Sequence, residues 1–285
     1  MSLSAVDYAV IGVYLLAITA FGSWFARYQK TTRDYFLTDR SVPWWAICFT
    51  IVATETSTLT FIGIPAQAYG GNMTFLQLAI GYIIGRFLVS ILFIPAYFRG
   101  ELFTSYELLQ RRFGTRVKTL AAVIFLITRS LADGIRLFTT ALVISIVTQV
   151  PVTWVVLVLG AAMIVYTMRG GVSAVIWTDV VQMFVYIAGA AAVAMALLNR
   201  IPGGWPEVVR VGRETGRFVF LDSAFDLTRA YTIWAGLLGG VALTLSTHGT
   251  DQFLVQRLLS ARSAKEASRG LVLSGFIVFA QFTLF

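Results

Sequence analysis

Residues 54–60 read Thr-Glu-Thr-Ser-Thr-Leu-Thr, with Gly63 and Pro65 just beyond, all inside an otherwise apolar stretch. Hydroxyls and a carboxylate this close together can ligate a hard cation or hold a polar solute. They are poor material for a continuous helix. Threonine is β-branched, Ser and Thr hydroxyls compete for backbone carbonyls, and proline removes a backbone donor. The expectation is an interrupted helix whose freed carbonyls coordinate a small cation while hydroxyls complete the shell. The plainer alternative is a Ser/Thr-rich packing face between helices. A second cluster, Thr244, Ser246, Thr247, His248, Gly249, Thr250 and Asp251, interrupts another apolar segment in the same way. Two such breaks, in segments that cross a bilayer in opposite directions, mark an inverted-repeat transporter with its binding site between them near the midplane.

Other charges lie where lipid is expected. Thr178 and Asp179 follow Gly171 by about two helical turns, with Gln182 on the same face at i+3 from Asp179. It could receive a cation, or be a capped carboxylate near the interface. Arg86 has no acid nearby in sequence and could pair with Glu55 or meet a solute carboxylate. Arg129, Asp133 and Arg136 share one helical face at i,i+4 and i,i+3 spacing, which predicts a self-neutralising structural cluster. His248 reads as a polar lining residue. Asp251, with Gln252 and Arg257, reads as a structural bond to a neighbouring loop.

The elements that position these residues follow from composition. The chain of 285 residues is 58% hydrophobic and 13% charged, with mean hydropathy +0.79. Soluble domains carry roughly 25% charged residues. This is an all-α polytopic membrane protein, forming a single transmembrane domain over 1–285. Apolar runs of about 20 residues predict spans at 6–26, 43–68, 74–98, 118–148, 152–168, 173–198 and 231–256. An eighth opens near 267 and still runs at Phe285, so the chain reads as the N-terminal part of a longer protein. Trp44, Trp45 and Trp154 suit interfacial anchors. The N-terminus lacks a basic region and a cleavage site, so it reads as a retained span. One cysteine, Cys48, and one histidine exclude an internal disulfide and a Cys- or His-rich metal cluster.

Basic residues in short loops set orientation. With the N-terminus outside, those of 27–40, 99–118, 169 and 257–269 all fall inside. Loop 199–230 is then extracellular, and its five arginines are the exception. This asymmetry accounts for most of the net charge of +8 without nucleic acid. The expected location is the plasma or inner membrane.

The stretches "YTMRGGVSAVIWTDVVQ" (166–182), "ATETSTLTFIGIPAQAYGG", "GTDQFLVQRLLSARSAKEASRG" (249–270) and "FTSYELLQRRFG" (103–114) give the whole chain its resemblance to the sodium/solute symporter family. That family includes sodium–glucose, sodium–proline and sodium–iodide carriers. The resemblance implies a leucine-transporter-type fold, an extra helix before a five-plus-five inverted repeat, here truncated in the eighth span. Residues 43–68 become core helix one and 231–256 core helix six. The main sodium site would take the backbone carbonyls of Ala53 and Thr56, with serines from a core helix eight absent from this chain. Ser57 matches a functional serine. Asp179, with Thr178 beside it, matches an acidic residue tied to sodium exit or a second sodium site. Glu55 stands where proline carriers have a functional carboxylate. Solute contacts would come from around Thr60, Thr244 and Thr247. Sugar carriers have glutamine at the Thr60 position and a glutamate on the next helix, where this chain has Arg86 and no acid. The expected solute is therefore a small amino acid or carboxylate rather than a sugar.

The expected activity is sodium-coupled symport by alternating access, with sodium as coupling ion, no organic cofactor, and solute, sodium and lipid as partners. Without the helix-eight serines the 285 residues alone should not transport. The alternative is a transporter-like sensory module of a signalling protein. Enzymatic motifs such as HExxH, Gly-x-Ser-x-Gly or glycine-flanked catalytic aspartates are missing.

Overall fold

A computed structural model describes residues 3–99, 102, 104–226 and 228–284. Phe285, at the end of the eighth expected span, and Phe103, at the head of one quoted stretch, lie outside the described residues. Thirteen α-helices form the described chain: α1 Ala5–Trp24, α2 Thr32–Leu37, α3 Trp44–Glu55, α4 Thr58–Gly70, α5 Leu76–Leu92, α6 Ile94–Phe98, α7 Tyr106–Phe113, α8 Thr115–Thr148, α9 Val152–Leu198, α10 Gly204–Glu214, α11 Ile233–Gly249, α12 Gln252–Leu259 and α13 Ala264–Leu284. Five helical stretches are long and apolar enough to cross a membrane, and α3 with α4, bent by 65°, makes a sixth. Among the described residues there are no strands, only a single backbone bridge between Val42 and Ala261.

Helix starts follow local chemistry. Ser4 caps α1 through a capping box with Asp7, Thr232 caps α11, and Pro43 and Pro151 open α3 and α9. Straight, the 47 residues of α9 would reach about 70 Å, far more than the ~30 Å of hydrocarbon in a bilayer. The chain instead turns at Gly171 (φ 58, ψ −155). Contacts with α1 show the direction of the turn. Thr148, just before α9, accepts from the Tyr8 hydroxyl at 2.6 Å. Tyr166 and Gly170 meet Gly22 near the far end of α1. Gln182 then lies back against Tyr14 at its middle. Residues 152–170 and 172–198 are therefore the two arms of a hairpin.

Gly171 occupies a conformation that is essentially glycine-only, and an added Cβ would lie 2.7 Å from the Tyr35 carbonyl oxygen. Gly171→Ala is expected to cost about 1–3 kcal/mol from backbone strain alone. Thermal unfolding in detergent checks it against Gly189→Ala, whose new methyl meets nothing within 4 Å. Equal melting of the two variants would contradict it.

The core lies where α3, α5, α9, α12 and α13 meet. Ile47, Ile51, Val89, Ile176, Leu258 and Leu271 are buried there. The outer faces of α1, α8 and the 152–170 arm expose Leu16, Leu126, Ile135, Val158 and Ile164, an apolar surface suited to lipid. The closest helix pair is α5 with α11. A Cβ on Gly81 would stand 2.3 Å from the Gly236 carbonyl oxygen, and one on Gly240 would stand 2.5 Å from that of Leu78. Such small-residue contacts let membrane helices approach backbone to backbone.

Residues 199–226 and 228–232 pack over one end of this pair. Gln77, wholly buried on α5, donates to the carbonyls of Thr74 and Tyr231 and accepts from the Asp222 amide, all at 3.1 Å. The Asp222 carboxyl is held below the usual carboxylate range, first by the Ala224 amide and then by the Arg229 side chain.

Candidate functional site

The first break is two residues long. The last bond of the α3 ladder runs from the Thr56 amide to the Val52 carbonyl, and α4 restarts at Thr58 behind Ser57, whose hydroxyl accepts from the Thr60 amide. A helix end leaves its last carbonyls without partners. Here Thr60 donates its hydroxyl to the Glu55 carbonyl at 2.9 Å. Among the described residues the carbonyls of Ala53, Thr54 and Thr56 receive nothing.

The second break, Thr250-Asp251 between α11 and α12, differs. The Gly249 carbonyl accepts from the Tyr97 hydroxyl and the Thr250 carbonyl from Ser105 at 3.3 Å. Asp251 caps α12 by accepting from the Phe253 amide at 2.8 Å, and it lies 3.8 Å from Arg129. The Gly249 and Thr250 carbonyls at the second break are thus occupied, unlike those of Ala53, Thr54 and Thr56 at the first.

Glu55 sits at the first break between α5 and α11. Arg86 donates to both its carboxylate oxygens, to Oε1 at 2.6 Å. The Arg86 side chain is wholly buried, while that of Glu55 keeps 20% of its surface exposed. His248 brings Nε2 to 2.9 Å from Glu55 Oε1 without an aligned hydrogen bond. The Thr247 hydroxyl donates to the Leu243 carbonyl at 2.9 Å, so its oxygen accepts from His248 Nδ1 at 3.0 Å; this assigns the ring proton to Nδ1. Thr244 faces the other way and packs against Gly85. Of the residues expected to touch solute, Glu55, Thr60, Arg86 and Thr247 gather at the break, whereas Thr244 is buried in the α5–α11 seam.

A second polar group lies one to two turns earlier on α3. Asp179 Oδ2 accepts from Thr50 at 2.6 Å and from Arg257 at 3.0 Å, with Thr54 at 3.5 Å. Arg257 also donates to the Thr50 hydroxyl at 3.0 Å and the Phe253 carbonyl at 2.8 Å. Thr178 spends its hydroxyl on the carbonyls of Ala174 and Val175 in its own helix. Of the group Asp251, Gln252 and Arg257, Gln252 makes the bond to a neighbouring loop, accepting from Ser105, whereas α12 turns Arg257 toward α3 and α9, where it binds the Asp179 carboxylate. Thr50 carried no signal beyond standing one turn before Thr54.

A third group was also missed. Gln281 of α13 places its amide against the Thr56 hydroxyl, Nε2 at 2.8 Å and Oε1 at 3.1 Å. In sequence it is a lone glutamine in an apolar run. In the α8 cluster Arg129 binds Asp133 at 2.8 Å. Among the described residues Arg136 forms no ion pair with Asp133, so the expected three-charge cluster is a pair, with Arg129 also reaching Asp251. No group of three or more His, Cys, Asp or Glu among the described residues could hold a metal ion. Neutral oxygens, not acidic or sulfur ligands, dominate the breaks.

The sequence pattern described as "Sodium:solute symporter family" matches residues 35–284. The chain is 30% identical to the human sodium/iodide cotransporter over 94% of its own length and 42% of the relative's. It is 30% identical to the sodium/glucose cotransporter of Vibrio parahaemolyticus over 96% of the chain and 53% of the relative. A solved structure of the substrate-bound outward-open state of a Na+-coupled sialic acid symporter superposes with a TM-score of 0.90 at 28% identity, covering 99% of this chain and 59% of that one. The chain therefore spans about half the length of the relatives it matches, and has their leucine-transporter-type helical fold. With α3 to α13 all inside the matched region, this multi-pass membrane chain belongs to the sodium:solute symporter family.

Proposed function

We propose that the protein carries a small organic solute across the membrane by sodium-coupled alternating access. The supporting observation is the first break, where the carbonyls of Ala53 and Thr56 are left open beside a partly exposed carboxylate. In this reading sodium bridges those carbonyls and steadies the end of α3, with Ser57 close by. Asp179, with Thr178 on the same turn, lies on the ion's route, and Arg257 holds the carboxylate when no ion is near. The solute binds beside Glu55, Thr60 and Thr247. Coupling requires sodium and solute to favour the same conformation; a ligand with equal affinity for both states shifts neither.

The named relatives take iodide, glucose and sialic acid. Arg86 is wholly buried and spent on Glu55, so the exposed edge of Glu55 and the hydroxyls of Ser57 and Thr60 are what a solute meets. That arrangement suits a solute with hydroxyl or amine donors. All the relatives named are carriers, which favours transport over a sensory role. In this reading the chain sits in the plasma or inner membrane with its N-terminus outside, an orientation supported by the basic residues of the short loops.

The test is reconstitution of the product of the complete reading frame, with uptake of labelled sugars, amino acids and carboxylates measured with and without a sodium gradient. Sodium-driven accumulation of one class is expected, and its loss in Asp179→Asn and Thr56→Pro. Binding without accumulation of any solute would sink the carrier reading.

A further inference from the structure

Thr56, Gln281 and the Tyr186 hydroxyl converge from α3, α13 and α9 on the side of the break away from Glu55's partners. Gln281 is 6% exposed. Around the junction lie Val52, Met183 and Val278, with Ala53, Ile277 and Phe282 packed against them, so water is largely excluded. Buried polar atoms in such a place are nearly always bonded. Here the pairing is incomplete. The Thr56 hydroxyl has one proton and two acceptors, the Val52 carbonyl at 2.8 Å and Gln281 Oε1 at 3.1 Å. Its oxygen already accepts from Gln281 Nε2 at 2.8 Å. When the proton serves Val52, as that of Thr54 serves Thr50, Gln281 Oε1 takes none from Thr56. The Tyr186 hydroxyl is buried, lies against Thr56 and makes no well-formed bond. Beside them are the unclaimed carbonyls of Ala53 and Thr56.

Neutral oxygens from three helices meet at this largely apolar junction, the Tyr186 hydroxyl among them without a partner, and neutral oxygens suit a hard monovalent cation. Such an ion takes oxygen ligands and needs no carboxylate when it must also leave. A carbonyl and a hydroxyl oxygen 3.1 Å apart can both face one ion. The polar atoms of a solute are a poorer match, because the wall of Val52, Met183 and Val278 leaves the junction narrow and apolar. We infer that Gln281 Oε1 and the Tyr186 hydroxyl are sodium ligands, joining the Ala53 and Thr56 carbonyls from the α13 and α9 sides. The inference rests on the reading of those carbonyls as sodium ligands. It assigns to α13 an ion contact that neither the sequence motifs nor the relatives' names supply.

The experiment is equilibrium binding of ²²Na⁺ to the purified protein, together with the sodium dependence of solute uptake by the reconstituted product of the complete reading frame. Gln281→Leu and Tyr186→Phe are each expected to raise the sodium concentration for half-saturation by about ten-fold, leaving the solute KM at saturating sodium unchanged. Gln281→Glu keeps the oxygen and adds charge, so it is expected to lower the sodium requirement below that of the unaltered protein. A merely structural amide would be damaged by both changes at Gln281, so equal weakening by Leu and Glu overturns the inference. A raised solute KM with unchanged sodium dependence also overturns it and makes Gln281 a solute contact. If the unaltered protein neither binds ²²Na⁺ nor responds to sodium, the carrier reading falls and takes this assignment with it. If Thr56→Pro loses sodium binding while Gln281→Leu and Tyr186→Phe retain it, only this assignment falls.

Discussion

Arg86→Met is expected to destabilise the protein by about 3–5 kcal/mol, the usual cost of breaking a buried ion pair from one side. The arginine is wholly buried and bonded to both oxygens of Glu55. Removing it strands a carboxylate at the depth of the break, where only the off-axis His248 ring remains beside it. Replacing both charges, as Glu55→Gln with Arg86→Met, leaves no uncompensated ion and is expected to recover most of the loss. Unfolding in detergent of the two single variants and the double variant measures the coupling. The pair is not the stabilising unit described here if the double variant is as weak as Arg86→Met alone. Under the proposed function the double variant should nonetheless fail to accumulate solute, because Glu55 would be the edge the solute meets. Stability and transport would then part company at one residue.

Gly81→Val is expected to be worse tolerated still. Its Cβ would stand 2.3 Å from the Gly236 carbonyl oxygen and 2.9 Å from Gly240 Cα. Both are backbone atoms, so no side chain can rotate away. Overpacking against side chains costs about 1–3 kcal/mol; here α5 and α11 must part along their length, and that range is a lower bound. Gly81→Ala should already be destabilising, while Gly239→Ala, whose methyl meets nothing within 4 Å, should stay within about 0.5 kcal/mol of the parent. Indistinguishable melting of Gly81→Ala and Gly239→Ala would show that the helices are free to separate.

What the sequence discloses about this fold is what local spacing controls. Thr-Glu-Thr-Ser-Thr and Ser-Thr-His-Gly-Thr-Asp each gather several helix-weakening residues within one turn or two, and the chain breaks at 56–57 and 250–251. Gly170-Gly171 marks the place where α9 reverses. Arg129 and Asp133 meet because i,i+4 residues share a face. The contacts that escape are those between helices. Asp179 and Arg257 are 78 residues apart, and nothing near either names the other. Gln281 is 225 residues from Thr56, and in an apolar run a glutamine reads the same whether it packs or ligates. Arg86 shows the middle case. Its burial in an apolar helix demands an acid, and sequence offers both Glu55 and a solute carboxylate; only the approach of α5 to the break decides for Glu55. The hydroxyls are legible least of all. Thr178 turns back into its own helix and Thr244 into a glycine notch, choices set by a rotamer.

The internal pairing of charges has an electrical consequence. Glu55 is matched by Arg86 and Asp179 by Arg257, so each of these two pairs carries no net charge. A transmembrane voltage does work of about 2.3 kcal/mol per elementary charge per 100 mV, and it can act only on charge that is displaced. Under the proposed carrier reading, the two pairs moving as units would add nothing to the voltage dependence of the empty return stroke.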